Sequence, residues 1–598
     1  MRYIFFIVLS LLGISLLPAF TQEQLNLNVV YPKNNVQVNA PSTFFIGGTH
    51  PDARLTINGT SARVYPNGGF VQVVPLNRGV NTVNLESVHK DKVKKLVYTI
   101  RVPEYEKTIP NSPLKIDRSS IIPDRNIAYQ AGETINVKFK GSTGNKASFS
   151  IGNKKDLPMI ELNPQQPKTA VAFGKAFNVS KEPVRGIYSG SYKLQELDKF
   201  KDAPIIVKLA SGENSIQEIT NARVSVIPEN SVPMVAEVAK NYAVVRNAPG
   251  QSRLTSLPLG TYINVTGQMG NDYRFKMGKA MEGWISANDI KLLPQGTPVP
   301  ESIISSVNVE STNNSVLIKV PLSQKLPVSI EQPSASQMNL TIYGGTSDVN
   351  FVPYNNSNEL IKEIKWTQPF KDAFQINLTS NSKQFWGYDY YYEDNTFVLK
   401  LRKPPLIDII NPLKDKIITI DPGHGGTELG SVGPTGIPEK TVNLAISKFL
   451  KKELENRGAK VIMTRETDKE VGIYDRVRIA EENDSLLLIS VHNNALPDGR
   501  NPYTEHGSST YYYNSQALPL TKSIQNSLVQ NLGFKDFGVF WSNLALARPH
   551  RSISVLVEIG FMINPDEYIL LTDQKFQEKS AKAIYSGIED FLKNSKID

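Results

Sequence analysis

The chain has 598 residues, 21% of them charged and 40% apolar, with a formal net charge of +9. That length exceeds a single core and calls for about four domains, and the composition excludes a disordered chain. No dense Lys/Arg run carries interleaved aromatics, which argues against nucleic acid as a partner. Cysteine is absent, so neither a disulfide framework nor a lipid-modified cysteine can form. The mild positive charge fits a solvated surface or approach to an anionic envelope polymer.

Met1–Thr21 reads as a secretory signal: Arg2 is the positive start, Tyr3–Leu17 the apolar stretch, and Ala19-Phe20-Thr21 the small-residue cleavage region. Export to the periplasm or cell wall follows; an uncleaved anchor is the alternative. Residues 24–104 alternate apolar and polar, and Leu55-Thr56-Ile57 before Asn58-Gly59 is a hairpin signal, predicting an Ig-like β-sandwich. A second β-rich, Ig-like domain is expected over 119–228. Residues 234–294, with Val244–Gly250, Leu257–Gly260 and Gly283-Trp284-Ile285, resemble bacterial SH3 domains. Trp284 is expected in the core rather than on a ligand. Residues 303–403, with their clearest strands expected at Leu340–Tyr343 and Phe397–Leu401, loosely resemble AMIN domains. Their aromatic stretch Trp386–Tyr392 is either a sugar-stacking surface or packing, and alternation on a strand favours packing for most of it.

After Pro404-Pro405 strands alternate with helices, predicting a C-terminal α/β domain over 415–596, a mixed sheet flanked by helices. Helices are expected over Glu439–Arg457, Leu518–Leu532 and Gln574–Leu592, and strands near Lys416, Ala459, Leu486, Ser509 and Ile553. His424 follows Ile417–Ile420, His492 follows Leu486–Val491 and Glu558 follows Val555-Leu556-Val557, so each is expected where a buried strand ends. Ligands and chemistry gather at such ends. Two imidazoles and a carboxylate form a catalytic Zn²⁺ set with a fourth position for water. A further carboxylate then moves the proton. Glu558, after three apolar residues, has little structural reason to be there. Among the carboxylates near His424, Glu439 heads a helix, where an acid is commonly a dipole partner. Glu428 and Asp421 are the alternatives.

These residues resemble the zinc-dependent N-acetylmuramoyl-L-alanine amidases, the type-3 catalytic family that trims peptidoglycan. The motifs are DPGHGG at Asp421–Gly426, EKTVNL at Glu439–Leu444, ISVHNN at Ile489–Asn494 and VEIGFMINPDE at Val557–Glu567. Thr464-Arg465, Arg476–Ala480 and Tyr511-Tyr512-Tyr513 add to the likeness, whereas Ile553-Ser554 departs from the family's Pro-Ala. The resemblance implies one Zn²⁺ held by His424, Glu439 and His492, with Glu558 as the catalytic acid–base. It implies Asp421 in a structural role and Glu428 in an acidic loop. Arg548 and Asn494 are candidate substrate contacts; His506 and His550 match no ligand motif.

The implied reaction is hydrolysis of the amide between N-acetylmuramic acid and L-alanine. A zinc peptidase cutting elsewhere in the stem peptide and an inactive wall-binding protein are the rivals. Some family members carry a helix that plugs the site. Here nothing extra separates Ser508–Asn514 from Leu518–Leu532, so an uncovered site is expected. The segment from about Ile407 is expected to fold alone, with the β modules acting as tethers.

Overall fold

The computed structural model describes residues 25–595, apart from 167, 171–175, 179–181, 228–231, 279–280 and 355–359. The expected signal Met1–Thr21 lies outside the described residues. Among those described, no helix is long and apolar enough to cross a membrane.

The described residues between 27 and 402 are β-rich. In the first block a three-stranded and a five-stranded sheet enclose Phe45, Leu55, Val83 and Ile100. Asn58 (φ 49°) and Gly59 (φ 77°) fold Arg54–Ile57 back onto Thr60–Ala62. Two consecutive positive-φ residues give the turn whose twist matches paired strands. The second block buries Phe139, Phe149 and Tyr188. Its Ile127–Gln130 strand pairs both with Asn214–Ile227 and with Tyr262–Met269, so one sheet runs on into the third block. Trp284 is buried there, beneath the Arg274 guanidinium. Two four-stranded sheets in the fourth block enclose Ile318, Val328, Phe374 and Leu399.

The aromatic stretch of that block is packing. Trp386 is fully buried, and it joins the core of the C-terminal unit with its ring centroid 5.5 Å from that of Phe591. Tyr388 and Tyr390 are buried too, against His550.

The C-terminal unit is a six-stranded mixed sheet ordered Lys460–Met463, Ile417–Pro422, Leu487–Asn494, Ile553–Phe561, Ser508–Tyr512, Asp536–Trp541. The first four strands run parallel; Ser508–Tyr512 is antiparallel to Ile553–Phe561, and Asp536–Trp541 follows it. Helices α1 (Glu439–Glu455), α3 (Leu518–Leu532) and α5 (Gln574–Asn594) cover one face through Val442, Ile446, Ile524, Leu528 and Ile588. Helix α2 (Ile473–Glu482) lies on the other, with Ala480 against Leu488, Leu556 and Tyr511. A short helix α4 (Pro565–Leu571) is capped by the Asn564 side chain. Periodicity located α1, α3 and α5; α2, α4 and the Asp536–Trp541 strand went unpredicted. Helix α2 buries only Arg476 and Ala480, so it carries no apolar stripe to read. Between Asn494 and Ser508 the described chain forms no helix, and between Tyr512 and Leu518 only the turn Ser515–Ala517.

Candidate metal centre

Strand register places the key residues. His492 and Glu558 are not past their strands, as expected, but within them. Ile559 and Phe561 keep the second strand buried beyond Glu558. His492 lies opposite Glu558, and Glu558 opposite Ser509. Side chains alternate along a strand while partners share a face, so His492, Glu558 and Ser509 form one row. His424 follows the Ile417–Pro422 strand with φ 60°, a conformation that costs a non-glycine residue energy and clusters at functional sites. The preceding Gly423 has no room for a Cβ, which would collide with the His492 ring.

Glu439, the first residue of α1, faces both histidines. Its Oε2 is 3.3 Å from His424 Nε2 and its Oε1 is 2.9 Å from His492 Nδ1. The three candidate ligand atoms lie within 4.8 Å of one another. The carboxylate also accepts from Ser431 N (2.9 Å), Asn493 N (3.1 Å) and Asn443 Nδ2 (3.0 Å). Burial opposes its charge, yet the contacts with His424 and His492 hold its carboxyl well below the usual range. At His424 burial disfavours the proton, but the hydrogen bond to Glu439 together with the charges of Glu439 and Glu428 outweighs it, raising the imidazole.

Of the alternatives, Glu428 is exposed and Asp421 is fully buried elsewhere. Asp421 Oδ1 accepts from Arg476 Nη1 (2.7 Å) and Thr464 Oγ1 (2.6 Å), and Oδ2 from Ser490 Oγ (2.6 Å). Arg476 also donates to the carbonyls of Pro422 (2.8 Å) and His424 (2.9 Å), and Arg465 to those of Pro422 (2.9 Å) and Gly423 (2.9 Å). Two buried guanidiniums thus hold the backbone that carries His424. The motifs containing them were visible in the sequence, but nothing there tied them to the Pro422–His424 carbonyls.

Glu558 is the fourth member. Its Oε2 is buried without a hydrogen-bond partner. Burial, then repulsion from Glu439, pushes its carboxyl well above the usual range. Two crowded carboxylates and two imidazoles suit a divalent cation, and nitrogen and oxygen donors without thiolate suit zinc.

Asn494, at the end of the His492 strand, donates to the Tyr511 hydroxyl at 3.4 Å. Arg548 is not part of this cluster: it donates to Asn543 O (2.9 Å) and Oδ1 (3.0 Å) in the loop before the Glu558 strand. His506 Nδ1 lies 2.7 Å from Glu567 Oε1, and Glu567 Oε2 accepts from Phe561 N (2.7 Å). That pair ties the Glu558 strand to α4. His550 sits among Tyr242, Tyr388 and Tyr390.

Residues 418–590 match the family model described as N-acetylmuramoyl-L-alanine amidase. The germination-specific N-acetylmuramoyl-L-alanine amidase of Bacillus subtilis (strain 168) is 33% identical over 30% of this chain and 80% of that protein. An uncharacterized protein of the same organism, YqiI, is 32% identical over 32% of this chain and 93% of its own length. The solved structure of the N-acetylmuramoyl-L-alanine amidase AmiC2 of Nostoc punctiforme is 32% identical, over 30% of this chain and 97% of that one, with a TM-score of 0.28. The chain belongs to the N-acetylmuramoyl-L-alanine amidase family, and its enzyme class is that of these amide hydrolases.

Proposed function

We propose that the chain is an exported, zinc-dependent amidase that cleaves the bond between N-acetylmuramic acid and the L-alanine of the stem peptide. The observation that carries this reading is the convergence of His424, Glu439 and His492 beside an unpartnered Glu558. His424, Glu439 and His492 would hold the zinc. When bound, zinc polarises a carbonyl and lowers the pKa of water to about 7.

Glu558 is the proton carrier. Its carboxylate takes one proton from the water that attacks the lactyl carbonyl and delivers it to the leaving nitrogen of L-alanine. The products are a lactyl carboxylate and a free stem-peptide amine. Asn443, Asn493 and Ser431 keep Glu439 in place, while Arg465 and Arg476 hold the His424 backbone. Asn494 and Arg548 are proposed substrate contacts, Arg548 toward a peptide carboxylate.

The upstream domains complete the proposal: Ig-like sandwiches over 24–104 and 119–228, an SH3-like barrel over 234–294 and an AMIN-like domain over 303–403. The catalytic domain is 415–596, peptidoglycan the partner, and the periplasm or cell wall the place of action. Mass spectrometry of muropeptides digested by the purified chain tests this. Glycans lacking stem peptides support it, whereas cleavage within the stem peptide overturns it.

A further inference from the structure

We propose that the first β-sandwich is a working part of the catalytic site, with Asp498 as the positioning residue that ties the sandwich to the segment leaving His492. This inference rests on the function proposed above.

The strand bearing His492 ends at Asn494, and the following segment turns directly onto the first sandwich. Asp498 Oδ2 accepts from the Tyr31 hydroxyl at 2.7 Å, and Oδ1 accepts from Thr43 Oγ1 at 2.6 Å. Gly499 N donates to Ser42 O at 2.9 Å. Leu496 is buried with Phe44, Ile46 and Val71 of the sandwich and with Phe561, three residues beyond Glu558. The Tyr503 hydroxyl closes the segment onto the Val71 carbonyl.

The sandwich strand Ser42–Thr49 is accordingly buried on both faces. Phe45 fills the sandwich's own core, while Phe44 and Ile46 fill the shared cluster. A strand buried on both faces needs a cover on each, and here the second cover is the catalytic unit.

The same module also meets the other loop of the centre. Pro434, in the loop joining His424 to Glu439, packs so closely on the sandwich that a Cβ at Gly69 would collide with it. Both segments leaving the metal ligands are therefore held by one β domain far away in sequence. A tether would not need such contacts. A displacement of about 1 Å at a reacting group costs on the order of a hundredfold in rate, so these contacts bear on turnover.

The test uses the full chain with Asp498→Ala, and separately with Tyr31→Phe and Thr43→Val combined. The kcat and KM for a purified soluble muropeptide are measured together with zinc per chain. Both variants should lose on the order of tenfold in kcat, with KM and zinc content unchanged. Combining all three substitutions should cost no more than Asp498→Ala alone, because the same two bonds are removed. Asp498→Asn, which keeps one acceptor, should recover part of the rate. If Asp498→Ala does not fold, the Tyr31 and Thr43 pair carries the test. Parent-like kcat in the variants, additive losses, or a loss explained wholly by missing zinc overturns the inference and leaves the amidase reading intact. Failure of the parent chain to hydrolyse any muropeptide overturns that reading instead.

Discussion

Glu558 and His492 are Cα partners across two adjacent parallel strands, so the unpartnered carboxylate and a candidate zinc ligand stand on one face of the sheet at the same height. That register makes them separable by substitution. Glu558→Gln keeps the shape but removes the proton acceptor. Turnover should fall on the order of a hundredfold or more, the scale of general acid–base catalysis. Zinc content and wall binding should persist. Lost zinc would instead make Glu558 a ligand, and a near-normal rate would assign the proton to another group.

Metal content distinguishes the acids around His424. Glu439→Gln should lose zinc and activity together, whereas Glu428→Gln should keep both, because Glu428 is exposed and outside the cluster. Zinc per chain should be about one in the parent, as in other three-ligand sites. Chelation should abolish hydrolysis, and added zinc should restore it. Full activity in a verified metal-free sample would sink the mechanism.

Arg476 and Asp421 form a buried pair at 2.7 Å, and burial opposes the Asp421 charge that Arg476 and its hydrogen bonds stabilise. Arg476→Met leaves that carboxylate without its counter-charge. Chemical denaturation should show a loss of about 3–5 kcal/mol, the scale for breaking a buried pair from one side. A loss below about 1 kcal/mol would mean that Thr464 and Ser490 suffice.

His550 should give the domain junction a pH dependence. Burial first of all pushes its imidazole down to about 4, with Arg551 and Arg253 adding to the effect and Asp389 opposing it. The unfolded chain binds this proton near pH 6.5 and the folded chain only near 4. The contribution of His550 to stability is therefore fully present above about pH 6.5 and is lost as pH falls toward 4, by on the order of 3 kcal/mol. His550→Phe should flatten that decline in thermal unfolding. An unchanged slope would place the titration elsewhere.

Trp386 belongs to the fourth β block by sequence and to the catalytic core by packing. Trp386→Ala should cost about 3–5 kcal/mol, as large-to-small changes of buried aromatics do. The fragment beginning at Ile407 lacks that ring, the Gln384–Ser595 bond and the sandwich contacts of Asp498. It should melt well below the full chain; equal melting temperatures would show these contacts to be idle.

The local patterns of this sequence were enough to determine the alternation of strands and helices and the three amphipathic helices of the C-terminal unit. They also marked the positions of His424, His492 and Glu558 near buried strands, because apolar runs and periodicity are written in neighbouring residues. The burial of Tyr388 and Tyr390 was legible too, since alternation hides about half of any strand. What neighbouring residues cannot state is which distant surface covers a strand. Phe44 and Ile46 read as ordinary sandwich residues until Leu496 and Phe561 are seen against them. Helix α2 was hidden because it packs through a guanidinium rather than an apolar stripe. The family resemblance named Glu439 over Glu428 and Asp421, but the physical reason for that choice is visible only in the tertiary structure. All three carry the same charge near His424 in the chain, and only the fold decides which carboxylate meets both imidazoles, which meets Arg476 and which is left in water.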